Sequence, residues 1–172
     1  MLKLFRKRGK IEKDLNRTVK IFGETISVRV IYKKLKNPEL DLVGNIINVY
    51  LPNKYKRSGN IEIVKLAIEK MYQEIARVEI EKVMEETRIM LKGLAPENYE
   101  IKKLSNKLSK LTLDRVIIIN PEIVKYNKQV LRYVILHEFC HLKYKTHSKG
   151  FYKMMQKYMP EYESYEYIEQ VA

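Results

Sequence analysis

A chain of 172 residues with 45% hydrophobic residues is long enough for one well-buried core, and it is too apolar to be a disordered segment. It has no apolar run long enough to span a bilayer, and its single cysteine, Cys140, excludes an intramolecular disulfide. The net charge is +13 and unevenly spread: residues 1–36 carry twelve Lys and Arg against three acids, whereas residues 161–172 carry four glutamates and no base.

Residues 1–18 read as a basic lead-in without the apolar stretch of a secretory leader. From Val19 to Tyr32 the pattern is strand-like, with Val28, Val30 and Tyr32 alternating with Arg29 and Ile31, and with a turn at Gly23-Glu24. Asn37 to Asp41 reads as a turn or loop around Pro38. Gly44 to Leu51 is a second strand, stopped by Pro52, so the N-terminal part is expected to be an antiparallel β unit. Residues 61–92 contain neither Gly nor Pro. There Val64, Ile68, Met71, Ile75, Val78 and Met84 keep helical spacing while Glu and Lys fill the other face. This predicts a long amphipathic helix, with Asn60 placed as its N-cap and Gly93 just past its end.

After a connector at Pro96, Tyr99 to Leu104 reads as a strand, Ser105 to Thr112 as a polar hairpin loop, and Arg115 to Asn120 as a short buried strand ended by Pro121. Pro121-Glu122 fits a helix start. Helix is therefore expected to about Tyr144, with a break near Tyr126-Asn127. A further helix from Ser148 to Tyr158 turns Phe151, Met154, Met155 and Tyr158 inward and stops before Pro160, ahead of an acidic, tyrosine-rich tail.

The chemistry is concentrated in Leu136 to His147, which holds all three histidines. His137 and His141 are four residues apart, one turn apart on one face of a helix, where two imidazoles can share an ion. Glu138 lies about 100° round from His137, near enough to reach a water on that ion without ligating it. The pattern is H-E-x-x-H, in which the glutamate serves as general base. His147 follows six residues after His141 and can offer a third nitrogen, leaving the fourth position of a zinc ion open for catalysis. The flanking residues are strongly apolar, and only Lys128, Arg132 and Lys143 form a polar stripe opposite the histidines. Two histidines and a glutamate on a buried helix require something to satisfy them, and a metal does so. Cys140 reads as a small core residue, and the lone cysteine predicts a reducing, cytoplasmic setting.

The run from Val130 to Leu142, followed by Thr146-His147-Ser148-Lys149-Gly150-Phe151-Tyr152, resembles the signature of the YgjP-like metallopeptidases, relatives of the SprT and Spartan-type zinc proteases. Shared features are the aliphatic–aromatic run into the motif, the leucine after the second histidine, and the third histidine followed by serine and an aromatic pair. The chain departs in having no tryptophan where the family often carries a Trp-Gly-Ser-Cys stretch. Tyr144 also stands where metzincins, with the same histidine spacing, turn on a glycine.

The resemblance implies an α+β, zincin-like fold. Its order would be an N-terminal antiparallel β unit, a long helix, a short β hairpin, the H-E-x-x-H helix and C-terminal helices, all one domain over 1–172. It also implies Zn²⁺ on His137, His141 and His147, Glu138 as catalytic base, and a peptide or protein substrate. The strand Val116–Ile119 would then pair with an extended substrate, unless it is an interior strand with no free edge. Tyr133, Tyr144 and Tyr152 read first as core or rim aromatics, with donation to the oxyanion as the other reading. Two other readings stay open on the basic charge: a nucleic-acid-associated protein in which the metal is structural, and a protease recruited to nucleic acid.

Overall fold

The structure, a computed structural model, describes residues 17–56 and 61–168. Most of the basic lead-in, the expected cap Asn60 and the last four residues of the tail lie outside the described residues. Contacts divide the chain into two compact units, one with residues 24–71 and the stretch up to 20, the other with residues 21–23 and those from 72 onward. The fold class is α+β. Among the described residues no helix is long and apolar enough to cross a membrane.

The first unit is built on a four-stranded sheet in the order β1-β2-β4-β3, formed by β1 (Arg17–Ile21), β2 (Glu24–Lys33), β3 (Glu39–Val43) and β4 (Ile46–Pro52). Phe22 and Gly23 both have positive φ, 50° and 87°, as a two-residue hairpin turn requires. β3 and β4 are antiparallel, and the middle pair β2 and β4 is parallel. The expected hairpins are thus joined by a parallel pair that alternation alone does not reveal. Residues 39–41, read as loop, are instead the start of β3. The signal there was masked by Pro38, which lies just outside the strand. Val28 faces Ile47, Val30 faces Val49 and Tyr32 faces Leu51, and all six are buried. On β3 and β4, Asp41 accepts hydrogen bonds from Asn48 (2.8 Å) and the Tyr50 hydroxyl (3.0 Å). Burial, then the Asp41 carboxylate, pushes the Tyr50 hydroxyl above its ordinary pKa.

Helix α1 (Ile61–Met90) runs as expected and ends at Lys92 and Gly93, both left-handed, where the Gly93 N–H bonds back to Arg88. Its buried stripe is Val64, Tyr72, Ala76, Ile80 and Met84, joined by Val83 and Thr87. This corrects the sequence reading in one place: Val78 is 59% exposed, and the small Ala76 and Ile80 take the inner row. A stripe drawn through the larger apolar residues drifts off the true face because it passes over alanine.

The second unit adds a three-stranded sheet, β5 (Asn98–Ile101), β6 (Ser109–Leu111) and β7 (Val116–Ile119), ordered β5-β7-β6. β7 is central, parallel to β5 and antiparallel to β6, and Ile117, Ile118 and Ile119 are all buried. The stretch 105–112, read as loop, therefore contains an edge strand. Its three residues Ser-Lys-Leu are too short and polar to stand out. Asn120, 4% exposed, ties this region together. Its side-chain amide donates to the carbonyls of Leu104 (3.0 Å) and Lys107 (3.1 Å), and its Oδ1 accepts from the Glu122 N–H at the start of the 3-10 turn Pro121–Lys125.

Asn127 then caps α2 (Lys128–His141), its Oδ1 accepting from the Val130 N–H at 2.9 Å, so the expected break falls where Asn127 stands. The polar stripe of α2 lies against α1, with Lys128 paired to Glu79 (3.0 Å) and Arg132 to Glu86 (2.8 Å). Ser148 caps α3 (Lys149–Tyr158). Replacing Asn120 by alanine removes the partner of two part-buried carbonyls and one N–H, and should lower unfolding free energy by about 1–3 kcal/mol in a denaturant titration.

A three-histidine cluster beside an edge strand

α2 is buried along nearly its whole length, from Val130 to Cys140, with Arg132 its one exposed side chain past the first turn. His137 and His141 project from it one turn apart, and the chain then reverses to deliver His147. The three Nε2 atoms converge: 3.0 Å between His137 and His141, 3.1 Å between His141 and His147, and 3.2 Å between His137 and His147. Among the described residues these three are the cluster able to hold a metal ion. Three mutually facing ring nitrogens cannot all satisfy one another, since in each pair only a protonated nitrogen can donate. A tetrahedral ion with Zn–N bonds of about 2.0–2.1 Å spaces its nitrogens about 3.3 Å apart, close to what is seen. The donor set therefore fits a divalent cation.

The ring of His141 is oriented by the backbone. Its Nδ1 lies 3.0 Å from the Tyr144 carbonyl, which can only accept, so Nδ1 carries the proton and Nε2 presents its lone pair. The reversal between His141 and His147 uses no left-handed residue. Instead the Tyr144 N–H bonds to the Cys140 carbonyl (2.8 Å), and the Ser148 N–H bonds to the Thr146 carbonyl (2.7 Å), closing a three-residue turn with His147 at its centre. The glycine that matters is Gly150: a Cβ there would lie 2.6 Å from Cε1 of Tyr144. The Tyr144 ring rests on this bare backbone. Phe151, 1% exposed, stands with its ring centroid 5.0, 4.8 and 4.6 Å from those of His137, His141 and His147. Sequence reading placed Phe151 only as a core residue of α3, because nothing local marks it as a support for imidazoles.

Glu138 is 5% exposed, and its Oε1 accepts a 2.6 Å hydrogen bond from the Ser109 hydroxyl on β6. Ser109 was not singled out from the sequence, since it meets Glu138 across 29 residues of chain. The histidines and Glu138 line a cleft of about 600 Å³, whose other wall is β6 with Lys107, Leu108 and Leu113 and whose rim includes Ile168 from the tail. None of Tyr133, Tyr144 or Tyr152 lines it. Tyr133 is buried against the rings of His137 and Tyr165, and Tyr152 packs on Phe151. Central β7 has no free edge, so it is not available to pair with a substrate. β6 is the edge strand at the cleft. Cys140 is fully buried with its sulfur 3.5 Å from that of Met155 and lies outside the histidine cluster, which makes it a core residue; burial pushes its thiol up to about 12.

An H-E-x-x-H helix, a third histidine on the following turn and a strand edge along the cleft make up a metallopeptidase domain of zincin type. The chain belongs to the YgjP-like family, whose metallopeptidase-domain model matches residues 3–168. Two crystal structures are similar over about half of the chain. One is the metallopeptidase zymogen abylysin of Pyrococcus abyssi, 24% identical, covering 51% of this chain and 88% of that one, with a TM-score of 0.46. The other is the metallopeptidase zymogen jannalysin of Methanocaldococcus jannaschii, 26% identical, covering 49% and 90%, with a TM-score of 0.44. No curated protein matches the sequence.

Gly150→Ala should displace the Tyr144 ring and with it the carbonyl that orients His141. Cobalt titration followed by absorbance should show affinity weakened by about 10–100-fold, the usual cost of losing a group that orients a ligand.

Proposed function

We propose that this protein hydrolyses peptide bonds, with zinc held by His137, His141 and His147 and with Glu138 as general base. The convergence of three Nε2 atoms within 3.2 Å of one another carries the reading. When bound, the cation would polarise the scissile carbonyl and lower the pKa of a water towards ~7. Glu138 takes the proton of the attacking water and returns it to the leaving nitrogen. Ser109 holds one carboxylate oxygen and so fixes how the other can turn.

The substrate lies along β6. The bonds from Thr112 N–H to Val116 and from Asn120 N–H to Leu108 set the antiparallel register, in which Lys110 turns its backbone groups towards Ile118. Ser109 and Leu111 then present N–H and C=O to the open edge, where an extended peptide can add as a further strand. The family match runs across both units, which supports reading 1–172 as one metallopeptidase domain. The lone, unreactive cysteine supports a reducing, cytoplasmic setting.

Glu138→Gln should retain about one zinc per chain by atomic absorption, while hydrolysis of an unstructured protein such as casein falls by about 10²–10⁴-fold. Wild-type rates in that variant would rule out the assigned base. His147→Ala should lose the metal as well as the activity.

A further inference from the structure

The cleft is lopsided in charge. Lys107, Lys110 and Arg115 stand on the β6 side and Lys145 on the side of the loop that carries His147. Among the described residues the one acid in its lining is Glu138, which is buried and bonded to Ser109. Among the described residues none of the three lysines is engaged in an ion pair. Arg115 is placed there at a conformational cost. Its φ is +60°, a region where glycine is unstrained and a long side chain is not. Its guanidinium reaches the carbonyls of Leu142 and Ala95 (both 3.5 Å) and pairs with Glu97 at 3.9 Å, so the uncompensated charge of the lining is that of the three lysines.

We propose that the cleft selects extended peptides bearing acidic side chains next to the bond to be cut. This rests on the hydrolase reading above and names its substrate class. A low-dielectric groove walled by one sign of charge concentrates ligands of the opposite sign and orients them before contact. Cations on both walls place that attraction on either side of a strand lying on β6. The apolar remainder, with Leu108, Leu111 and Leu142, takes the aliphatic parts of the same side chains. A single-stranded nucleic acid is also anionic, but among the described residues the lining has no Phe, Tyr or Trp on which bases could stack. The open backbone groups of Ser109 and Leu111 suit a peptide main chain.

The test uses two fluorescent peptides identical except that glutamates in one are glutamines in the other. Binding is measured by anisotropy to the full-length, zinc-loaded Glu138→Gln protein, and cleavage by the wild type. The acidic peptide should bind about tenfold more tightly at low salt, an advantage that shrinks as ionic strength rises. Combined Lys107→Gln, Lys110→Gln and Lys145→Gln changes should abolish the difference, and the corresponding glutamate changes should invert it. Thermal melts accompany each variant, and should the glutamate set fail to fold, the glutamine set decides.

Equal binding of the two peptides overturns the proposal, as does a preference that survives loss of the lysines. Displacement of the acidic peptide by an oligothymidylate of equal charge at equal or lower concentration overturns it in favour of nucleic acid. Should the wild type cut both peptides equally, the preference fails and the hydrolase stands. Should it cut neither while the variant still prefers the acidic peptide, the hydrolase reading fails and the anionic selectivity stands.

Discussion

The site depends on forcing three ring nitrogens to face a single point. A helix supplies two of them at no extra cost, because residues four apart share a face. The third comes from a chain that must reverse within six residues and return to the same face. Here the reversal is made by ordinary backbone conformations, closed by hydrogen bonds to Cys140 and Thr146 and stopped by the Ser148 cap. The residue that makes the reversal possible without a glycine in it is a glycine beyond it. Gly150 lets the Tyr144 ring settle on the first turn of α3, and Tyr144 in turn offers its carbonyl to His141. One side chain thereby shapes the loop and fixes a tautomer.

The second organising contact is the bond between Ser109 and Glu138. It joins the edge strand to the helix that carries the histidines, so the surface along which a peptide can lie and the carboxylate assigned as base share one rigid connection. Asn120 secures that wall from behind, bonding the segment that leads into β6 and the turn that leads to α2. A short strand of three residues has little stability of its own, and the bonds of Ser109 and Asn120, together with its pairing to β7, hold it in place. The cleft is polar where chemistry is assigned and apolar where a chain would rest, with an excess of cations at its rim.

Much of the architecture was legible because its signals are local. The length of α1, the break at Asn127, the start of α3 and the burial of β7 all follow from periodicity, capping residues and proline. The misreadings share a cause. β3 and β6 are short strands whose residues look like loop, and they are strands because β4 and β7 offer them a hydrogen-bonding edge. The parallel pairing of β2 with β4, and of β5 with β7, depends on where distant segments meet, which alternation along one segment does not encode. Val78 keeps helical spacing with its apolar neighbours yet lies outside the buried face, where Ala76 and Ile80 stand instead.

The sequence by itself determined the kind of chemistry: the spacing of His137, Glu138, His141 and His147 on and after an apolar helix leaves few other uses for those side chains. Tertiary structure decided which strand borders them, which tyrosines are excluded from the cleft, and which residues hold the imidazoles and the carboxylate in position. Ser109, Phe151 and Gly150 carry no signature because their roles exist only relative to partners elsewhere in the chain. A ligand motif is written in neighbouring residues, but its supports are written in the packing.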